Sequence, residues 1–570
     1  PTIAVATNGG VSVIKDDGSV VDITGTDGNT ACKAIWFDDN NEVWFKTSQH
    51  ISIGGNTIPS SDFSNSYIYN FFRKRYFHTT AGGIPPVPAA NQNNSSNFGI
   101  AKDTHIVGYN LGLNLLKQVD EAPETSSVAY LTSTYNSGYM TGDIKGAWLS
   151  DTDTTNVVGT ELVTNGTFDT DTTGWTAETG GSSIAWNASG YIDVTRLNSP
   201  TAGVFTVQQA ITGLVVGRVY YITGTIITAS VQASILVGDD NTGTPIYTDS
   251  HILYSNNAET NGFGTFPAEA KLVFRATATT MYIGLGARSD ATGTATFDNI
   301  SVRLADADRS VNNNGLQVNG TITKTAVATG ADLVAYSGFS TSNYLEQPYN
   351  ADLDFGTGDF SIMGWVNCPL SGDDVFANKT DRIPTYGSGN PIRVYSSGSI
   401  VSFTVGAADA NTPQSLTGAG WSFITATRAS GVLFLYINGE QRASAVSTHD
   451  VTSIGGNDVL LLGVGTYNGT AAWPAQQMAL WRISATAPTA AQIKEIYEAE
   501  KPLFQENAKA TLNGTSDAVQ CLAYDDSTEL LHVGTSGGRS TFQGLRRVDE
   551  TATNTTEISA QGGMIIEETA

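Results

Sequence analysis

The sequence is poor in cysteine, in basic residues and in long apolar runs. Its three cysteines, Cys32, Cys368 and Cys521, are too few and too far apart for a disulfide framework or a zinc site. Lys and Arg number 29 against 54 Asp and Glu, for a net charge of −25, and no long run of Lys and Arg occurs. Binding to nucleic acid or to an anionic membrane surface is therefore disfavoured. Without a run of about 18 apolar residues, we also expect no membrane insertion.

The sequence is rich in glycine, serine, threonine, asparagine and valine, with 60 Gly among 570 residues. This composition is typical of short β-strands joined by tight turns. The length is too great for one hydrophobic core and predicts three or four domains. The first residues, PTIAVATNGG, lack the basic and apolar regions of a signal peptide, which predicts a chain made in a cytoplasm.

Two phrases occur near both ends of the chain. Residues 5–14 (VATNGGVSVI) match residues 533–542 (VGTSGGRSTF), and residues 35–44 (IWFDDNNEVW) match residues 522–531 (LAYDDSTELL). Each phrase reads as a β-hairpin with a tight turn. Recurrent small hairpins are typical of a β-propeller, whose first and last blades must meet, and the spacing suggests about five blades. The alternative is convergent hairpin chemistry in two unrelated β-domains.

Two further motifs enclose a segment of alternating strands. Residues 161–175 read ELVTNGTFDTDTTGW and residues 296–302 read TFDNISV. They resemble the ends of carbohydrate-binding-module-like jelly rolls, which implies a β-sandwich with Phe168, Trp175 and Phe297 in its core.

The same resemblance implies two candidate sites in this sandwich. Asp298 stands where such modules place a structural calcium ligand, and only Glu161 or Asp169 could join it, whereas calcium takes six to eight oxygens. A capped turn is the alternative role for Asp298. Trp186 is a candidate sugar-stacking residue, with core packing as its alternative.

Three motifs occur in order in the next segment. Residues 344–365 read YLEQPYNADLDFGTGDFSIMGW, residues 420–440 read GWSFITATRASGVLFLYINGE, and residues 478–497 read MALWRISATAPTAAQIKEIY. They resemble the laminin-G-like, concanavalin A-like lectin/glucanase sandwich. Local patterns agree. In residues 360–366, Phe360, Ile362, Gly364 and Val366 point to one face and Trp365 to the other, which predicts a strand covered on both sides, and Asn438-Gly439 is a hairpin turn.

The last of these motifs predicts a helix. Thr489 can cap it, with Gln492 at the capping-box position, and Pro502 ends it.

Loop residues of this second sandwich are the other candidate ligand contacts. Tyr386, Tyr467 and Trp473 could stack on sugar rings, or else pack at the edge of the core. Enzymes of the family carry a Glu-x-Asp-x-Glu pattern, which supplies the paired carboxylates of glycoside hydrolysis. The pattern does not occur in this sequence, so we expect no enzyme. No cofactor is predicted beyond a possible structural calcium ion.

The combined prediction is an all-β protein: a β-propeller-like ring formed by both chain ends, with two inserted β-sandwich domains. The predicted segments are 1–154 for the first blades, 155–305 for the carbohydrate-binding-module-like sandwich, 306–508 for the laminin-G-like sandwich with its helix, and 509–570 for the closing blades.

This mosaic resembles non-catalytic bacteriophage virion proteins, such as tail fibres, spikes or tail-tip components. The resemblance implies residence in the virion, other virion proteins and host surface polysaccharide as partners, and a homo-oligomer, trimer or hexamer. The alternatives are a purely structural nozzle-type or collar protein and a polysaccharide-degrading depolymerase.

Overall fold

In the computed structural model of the protein, nearly all regular structure is β-sheet. The structure describes residues 3–7, 10–15, 17–25, 32–37, 42–47, 53–57, 61–65, 74–76, 97–101, 104–109, 112–117, 127–177, 182–196, 207–230, 232–238, 268–288, 293–310, 312, 314–381, 392–453, 458–467 and 470–569. Within these ranges there is one α-helix, α1 (Ala490–Glu500), and no helix has the length and apolarity needed to cross a membrane. The predicted all-β class is confirmed.

The first strands of the chain form three small sheets. Their bounds are β1 Ile3–Thr7, β2 Gly10–Ile14, β3 Val20–Gly25, β4 Cys32–Phe37, β5 Glu42–Thr47, β6 Ile53–Thr57, β7 Phe63–Asn65, β8 Lys74–Tyr76, β9 Asn97–Ala101, β10 Thr104–Tyr109, β11 Gly112–Lys117, β12 Ser127–Leu131 and β13 Met140–Thr141. The sheet orders are β1-β2-β3-β7, β4-β5-β6-β8 and β9-β10-β11-β12-β13. β4 packs against both β1 and β9, so the three sheets form a row.

The last strands of the chain extend this row. Their bounds are β40 Val519–Asp525, β41 Leu530–Thr535, β42 Gly538–Gln543, β43 Arg546–Thr551, β44 Thr555–Gln561 and β45 Met564–Thr569. β40 to β43 form a four-stranded antiparallel sheet, and β44 and β45 form a hairpin. β40 packs against β9 and β10, and β44 packs against β40 and β41.

Both chain ends therefore share one array of blade-like sheets. The neighbour of the sheet of residues 519–551 is the sheet of residues 97–141, and the sheet of residues 32–76 separates the latter from residues 3–14. Sheets that follow each other along the chain, once the inserted sandwiches are set aside, are the ones that stack. Closure of the array into a ring remains a prediction.

The first sandwich consists of two packed antiparallel sheets. The bounds of its strands are β16 Thr176–Ala177, β17 Ser182–Asn187, β18 Tyr191–Arg196, β19 Val207–Thr212, β20 Val219–Ala229, β21 Gln232–Gly238, β22 Ala268–Arg275, β23 Thr280–Arg288 and β24 Gly293–Asp306. One sheet has the order β17-β18-β24-β20-β22 and the other β16-β19-β23-β21. The predicted core residues Phe168, Trp175 and Phe297 are buried between them.

The second sandwich is larger. The bounds of its strands are β14 Ile144–Trp148, β15 Val157–Gly159, β25 Leu316–Ala326, β26 Val334–Ser337, β27 Tyr344–Gln347, β28 Phe360–Asn367, β29 Asp373–Asp381, β30 Ile392–Ser397, β31 Ile400–Val405, β32 Ala408–Thr412, β33 Ser422–Ala429, β34 Val432–Ile437, β35 Glu440–Val446, β36 Asp458–Leu462, β37 Gly465–Tyr467, β38 Thr470–Ala472 and β39 Gln477–Ser484.

Two sheets enclose the core of this sandwich. The hairpin-side sheet, named for the hairpin β37–β38 on it, runs β25-β27-β36-β29-β30-β31-β32, and the end of β24 pairs with β25. The helix-side sheet runs β39-β28-β33-β34-β35. Because β24 pairs in both sandwiches, the two are joined by a continuous ladder of hydrogen bonds.

Local predictions for this sandwich are confirmed. Asn438 and Gly439 have φ angles of 53° and 77°, as a type I′ turn requires. The Thr489 side chain and Gln492 form the capping box of α1. The helix ends at Glu500, and Pro502 lies in the following 3-10 turn Lys501–Phe504.

A buried charge cluster fixes the helix-side sheet to the array. The Glu500 carboxylate accepts hydrogen bonds from Trp365 Nε1 (2.8 Å) and from the backbone N–H of Tyr139 (2.9 Å), and it pairs with Arg482 (2.9 Å). Burial raises the pKa of the Glu500 carboxyl, against the effect of the Arg482 guanidinium. A Cβ at position 138 would collide with this carboxylate, so only glycine fits at this position.

The chain enters and leaves the sandwiches at one place. The backbone N–H of Ala485 donates to the Asp143 carbonyl (2.8 Å), and the Asp143 N–H donates to Thr486 Oγ1 (3.0 Å). Asn136 then holds the returning chain through its amide, which donates to the Ala510 carbonyl (2.9 Å). β14 pairs with β39 of the second sandwich, although the predicted first segment extends to residue 154.

Candidate functional site

The hairpin-side sheet carries a hairpin on its outer face. β37 and β38 form this hairpin, and Trp473 follows directly after it. Two of the four predicted stacking residues, Tyr467 and Trp473, therefore belong to one structural unit. The side chain of Tyr467 and the whole of Tyr386 lie outside the described residues.

The backbone of Trp473 is held in an unusual conformation. Its φ angle is 53°, in the left-handed region that costs a non-glycine residue about 1–2 kcal/mol. Its carbonyl accepts the N–H of Val375 (2.9 Å), and the N–H of Ala475 donates to the Gly463 carbonyl (2.9 Å). Strain retained by surrounding hydrogen bonds is characteristic of sites where a side chain must be aimed.

The hairpin lies close against the sheet beneath it. A Cβ on Gly465 would stand 2.8 Å from Val375 Cγ2, which is closer than such atoms pack. Glycine at this position therefore sets the distance between the hairpin and β29.

Sequence reasoning missed Arg393, which lies beside Trp473, and Tyr395, which lies beside Arg393. Arg393 and Tyr395 alternate on β30 with Ile392 and Val394, which are buried in the core, so the first pair faces outward. The guanidinium carbon of Arg393 lies 5.8 Å from the centroid of the Trp473 ring and 6.0 Å from that of Tyr395. The signal was present in the alternation of IRVYSS, but nothing local linked it to a residue eighty positions away.

We name Arg393, Tyr395 and Trp473 the Trp473 surface. All three side chains are half-buried, which leaves part of each exposed. In the strand register, Arg393 stands between Asn378 of β29 and Thr404 of β31, and Tyr395 stands beside Ser402. Asn378 and Ser402 are buried, so the accessible groups here are the aromatic rings, the planar guanidinium and the half-buried Thr404. Rings can stack on the apolar face of a sugar, and the polar groups can hydrogen-bond to its hydroxyls.

Buried polar contacts hold the strands under this surface. Lys379, next to Asn378, pairs with Asp354 (3.1 Å) and Asp458 (3.3 Å) and donates to the Val451 carbonyl (2.6 Å). These contacts tie β29 to β36 and to the loops at the end of the sheet.

A second set of contacts holds the segment after Trp473. The Gln476 amide donates to Asp374 (3.1 Å) and to the Leu370 carbonyl (2.8 Å). Burial raises the pKa of the Asp374 carboxyl, although the Gln476 hydrogen bond favours its ionised form. The loop that carries Trp473 is therefore anchored at both of its ends.

Trp186 lies in the other sandwich, away from this surface. Its indole N–H donates to the Phe168 carbonyl (2.7 Å), and its register partner on β18 is the buried Ile192. The ring remains 41% exposed, at the edge of the core. The structure thus separates Trp186 from Trp473, and whether either residue binds a sugar stays a prediction.

The predicted calcium residue Asp298 makes local contacts. Its carboxylate accepts the backbone N–H (2.7 Å) and the side-chain amide (3.0 Å) of Asn299. Glu161 accepts from the N–H of Val302 (2.9 Å) and from Ser301 Oγ (2.6 Å) on the closing strand. Across the described residues, no group of three or more Asp, Glu, His or Cys side chains could hold a metal ion.

Comparison with known families identifies the second sandwich. Residues 339–494 match the family described as the Concanavalin A-like lectin/glucanases superfamily, which confirms the predicted resemblance for this part of the chain. The match covers the strands of the hairpin-side sheet from β27 to β32, the hairpin and the Trp473 surface. No curated protein matches the chain.

Solved structures give only weak likenesses. Domain 4 of AbnA, a GH43 extracellular arabinanase from Geobacillus stearothermophilus in complex with arabinotriose, is 17% identical and covers 34% of this chain and 92% of that chain, with a TM-score of 0.24. The Ruminococcus gnavus IT-sialidase CBM40 bound to alpha2,3 sialyllactose is 13% identical and covers 26% and 92%, with a TM-score of 0.23. The binding domain of Paraclostridial Mosquitocidal Protein 1 is 14% identical and covers 46% and 65%, with a TM-score of 0.28. Scores this low carry no argument about this chain.

Proposed function

We propose that the chain is a binding protein that recognises a glycan through the Trp473 surface and cleaves nothing. One observation carries the proposal: an aromatic and guanidinium cluster stands on the outer face of a sheet that matches the Concanavalin A-like lectin/glucanases superfamily. The strained, doubly anchored backbone of Trp473 supports it. The lack of a Glu-x-Asp-x-Glu pattern in the sequence supports binding without hydrolysis.

The surface is suited to weak binding of a polysaccharide segment. A sugar ring can lie against the exposed part of Trp473 or Tyr395 while Arg393 donates to its hydroxyls. A few such contacts correspond to dissociation constants of roughly millimolar to micromolar. Several copies on one particle would raise the apparent affinity through avidity.

A glycan array with the full chain, followed by calorimetry on the best ligand, tests the proposal. We expect Trp473→Ala to weaken binding at least about tenfold, which is 1.4 kcal/mol. Trp186→Ala is the matched control, an aromatic truncation in the other sandwich, and should leave the affinity unchanged. Loss of affinity in the Trp186 variant alone would move the site to the first sandwich. Absence of binding to any glycan would refute the proposal, and release of reducing ends would refute its non-catalytic part.

We further propose that the protein is a bacteriophage virion component, a tail fibre, spike or tail-tip protein. It would be made in the host cytoplasm, carried in the virion, and partnered by other virion proteins and host surface polysaccharide. The acidic, glycine-rich, all-β composition and the array shared by both chain ends support this setting.

Immunogold electron microscopy of purified particles tests this setting. Label at the tail tip or fibres is expected. Label at a collar or portal ring, together with no glycan affinity, would favour the structural alternative.

A further inference from the structure

The hairpin β44–β45 differs from the other sheets of the array. The other sheets formed by the two chain ends have four or five strands, whereas in the described part of the chain β45 pairs with β44 alone. The outer edge of β45 thus presents backbone N–H and C=O groups without a strand beside it. Such an edge is a template for pairing with another strand.

The first three side chains of β45 are apolar, and Glu567 and Glu568 follow them. Met564, Ile565 and Ile566 follow each other in β45 and are 63%, 37% and 61% exposed. Protective devices such as Lys, Pro or a bulge do not occur in this run. Three consecutive exposed apolar residues on an unpaired edge favour a strand partner over water.

From these features we propose that β45 pairs with β45 of a second copy of this chain in an antiparallel, two-fold symmetric contact. The result is a four-stranded sheet of order β44-β45-β45-β44, with the strand number of the neighbouring sheets. A two-fold contact uses the same patch on both copies, so the sequence of β45 must complement itself when reversed.

The hairpin turn fixes which backbone groups are available. Gly562 and Gly563 form a two-residue turn with φ angles of 58° and 79°, so Gln561 and Met564 exchange hydrogen bonds across the hairpin. Alternation then directs the N–H and C=O of Ile565 and Glu567 outward, to the free edge. In a contact with a second β45, residues whose N–H and C=O point to the free edge must therefore stand opposite residues of the same kind.

Among the registers that satisfy this rule, one aligns five residues of β45 with its mate without opposing like charges, whereas an axis at Ile565 would align only three. With the two-fold axis at Ile566, Ile565 of one copy pairs with Glu567 of the other, and Met564 faces Glu568. Ile566 then faces its own symmetry mate as a closely spaced, non-hydrogen-bonded pair. The alternative with the axis at Glu567 would place two carboxylates opposite each other. Glu567 already pairs with Arg539 of β42 in its own copy, which partly neutralises it at the contact.

Sedimentation velocity of the full chain over a concentration series tests the proposal. We expect a reversible dimer that strengthens with ionic strength, because salt screens the net charge of −25 on each copy. Ile566→Glu should raise the dissociation constant at least about tenfold, since it sets two carboxylates face to face on the axis. Val446→Glu, an exposed apolar position on β35, is the matched control and should leave it unchanged.

Disulfide trapping tests the register even where the Glu variant alters folding. Ile566→Cys should form an interchain disulfide on mild oxidation, because its symmetry mate lies within the Cα spacing of a disulfide, about 4.4–6.8 Å. Met564→Cys should not, since its mate lies about four residues away along the strands. A monomer at all concentrations, or a disulfide from Met564→Cys as readily as from Ile566→Cys, would overturn the proposal.

Discussion

Strands β28 and β18 show how differently the two sandwiches are embedded. Every residue of β28 but its last is buried, in the sequence FSIMGWVN, whereas YIDVTR of β18 alternates between buried and half-buried positions. On one side β28 meets the sandwich core, and on the other Trp365 stacks on Phe504 with ring centroids 4.2 Å apart. On β18 only Ile192 and Val194 face a core. A strand covered on both sides has a continuous apolar sequence, and a strand with one solvent face alternates.

The two sandwiches also differ in the side chains on their outer faces. On the first sandwich, small polar groups satisfy each other: Thr296 Oγ1 donates to Asp193 (2.6 Å), and Thr195 and Thr294 share a hydrogen bond (2.8 Å). On the second sandwich, α1 and the array cover the helix-side face, and the hairpin-side face carries the Trp473 surface. The two sandwiches therefore differ in the side chains that their outer faces present.

The largest loss of stability is expected when the buried carboxylate of Glu500, which holds the helix-side sheet against the array, is removed. Glu500→Ala would leave Arg482 buried without its carboxylate, and breaking such a pair costs about 3–5 kcal/mol. Urea unfolding of the full chain measures the loss. Glu498→Ala, two residues earlier on the exposed side of α1, should change the stability by less than about 0.5 kcal/mol. Equal losses of unfolding free energy in the two variants would show that the buried cluster does not stabilise the sheet.

Asp308, in the segment between the two sandwiches, should make the stability of the chain depend on pH. Burial raises the pKa of Asp308 from 3.8 to about 6, although its carboxylate accepts the N–H of Ala147 (2.8 Å) and of Asn314 (2.8 Å). Asp308 therefore binds a proton more tightly in the native state than in the unfolded state. The resulting stabilisation of the native state is complete below about pH 4 and is lost as pH rises through about 6. The linkage amounts to up to about 3 kcal/mol.

Asp308→Asn should lack this dependence. The difference in unfolding free energy between the wild-type chain and the variant is expected to change between pH 4 and 7, with the wild type losing stability relative to the variant. Parallel curves would mean that Asp308 is ionised throughout and that its hydrogen bonds outweigh its burial.

A smaller change should affect the Trp473 surface without disrupting the sandwich. Gly465→Ala forces a methyl group against Val375, so the hairpin must lift, at a cost of about 1–3 kcal/mol in stability. Because Trp473 follows the hairpin, we expect glycan affinity to fall about tenfold. Gly372→Ala, at a glycine with open space around it, is the control. Unchanged affinity in the Gly465 variant would separate the hairpin from the site.

The smallest effect is expected in the first sandwich. Trp186→Ala removes a hydrogen bond to Phe168 and a partly exposed ring, which corresponds to about 1 kcal/mol of stability. Thermal unfolding measures it. A loss above about 3 kcal/mol would make Trp186 a core residue, in contrast to its exposure.

Sequence reasoning succeeded where the physics is local. The capping box of Thr489 and Gln492, the Asn438-Gly439 turn and the double coverage of Trp365 all follow from residues within a few positions of each other. It did not foresee that β14 would join β39, more than three hundred residues away, or that Arg393 would lie beside Trp473. Those contacts depend on which strands neighbour each other in the sheets, and no short pattern encodes that.

The hydrogen bond between Asp143 and Ala485 has a consequence for the order of folding during synthesis. The first sandwich is continuous in sequence, whereas the second combines β14 and β15 with strands of residues 316–484, so both can fold once the ribosome has released these residues. The sheet of residues 97–141 cannot acquire its neighbour β40 until about 380 further residues have been made. At roughly 5–20 residues per second this takes about 20–75 seconds. During that interval the face that β40 will cover is exposed. The folded sandwiches hold the chain that leaves them at Ala485 beside the chain that enters them at Asp143, so the late strands are released next to the early ones.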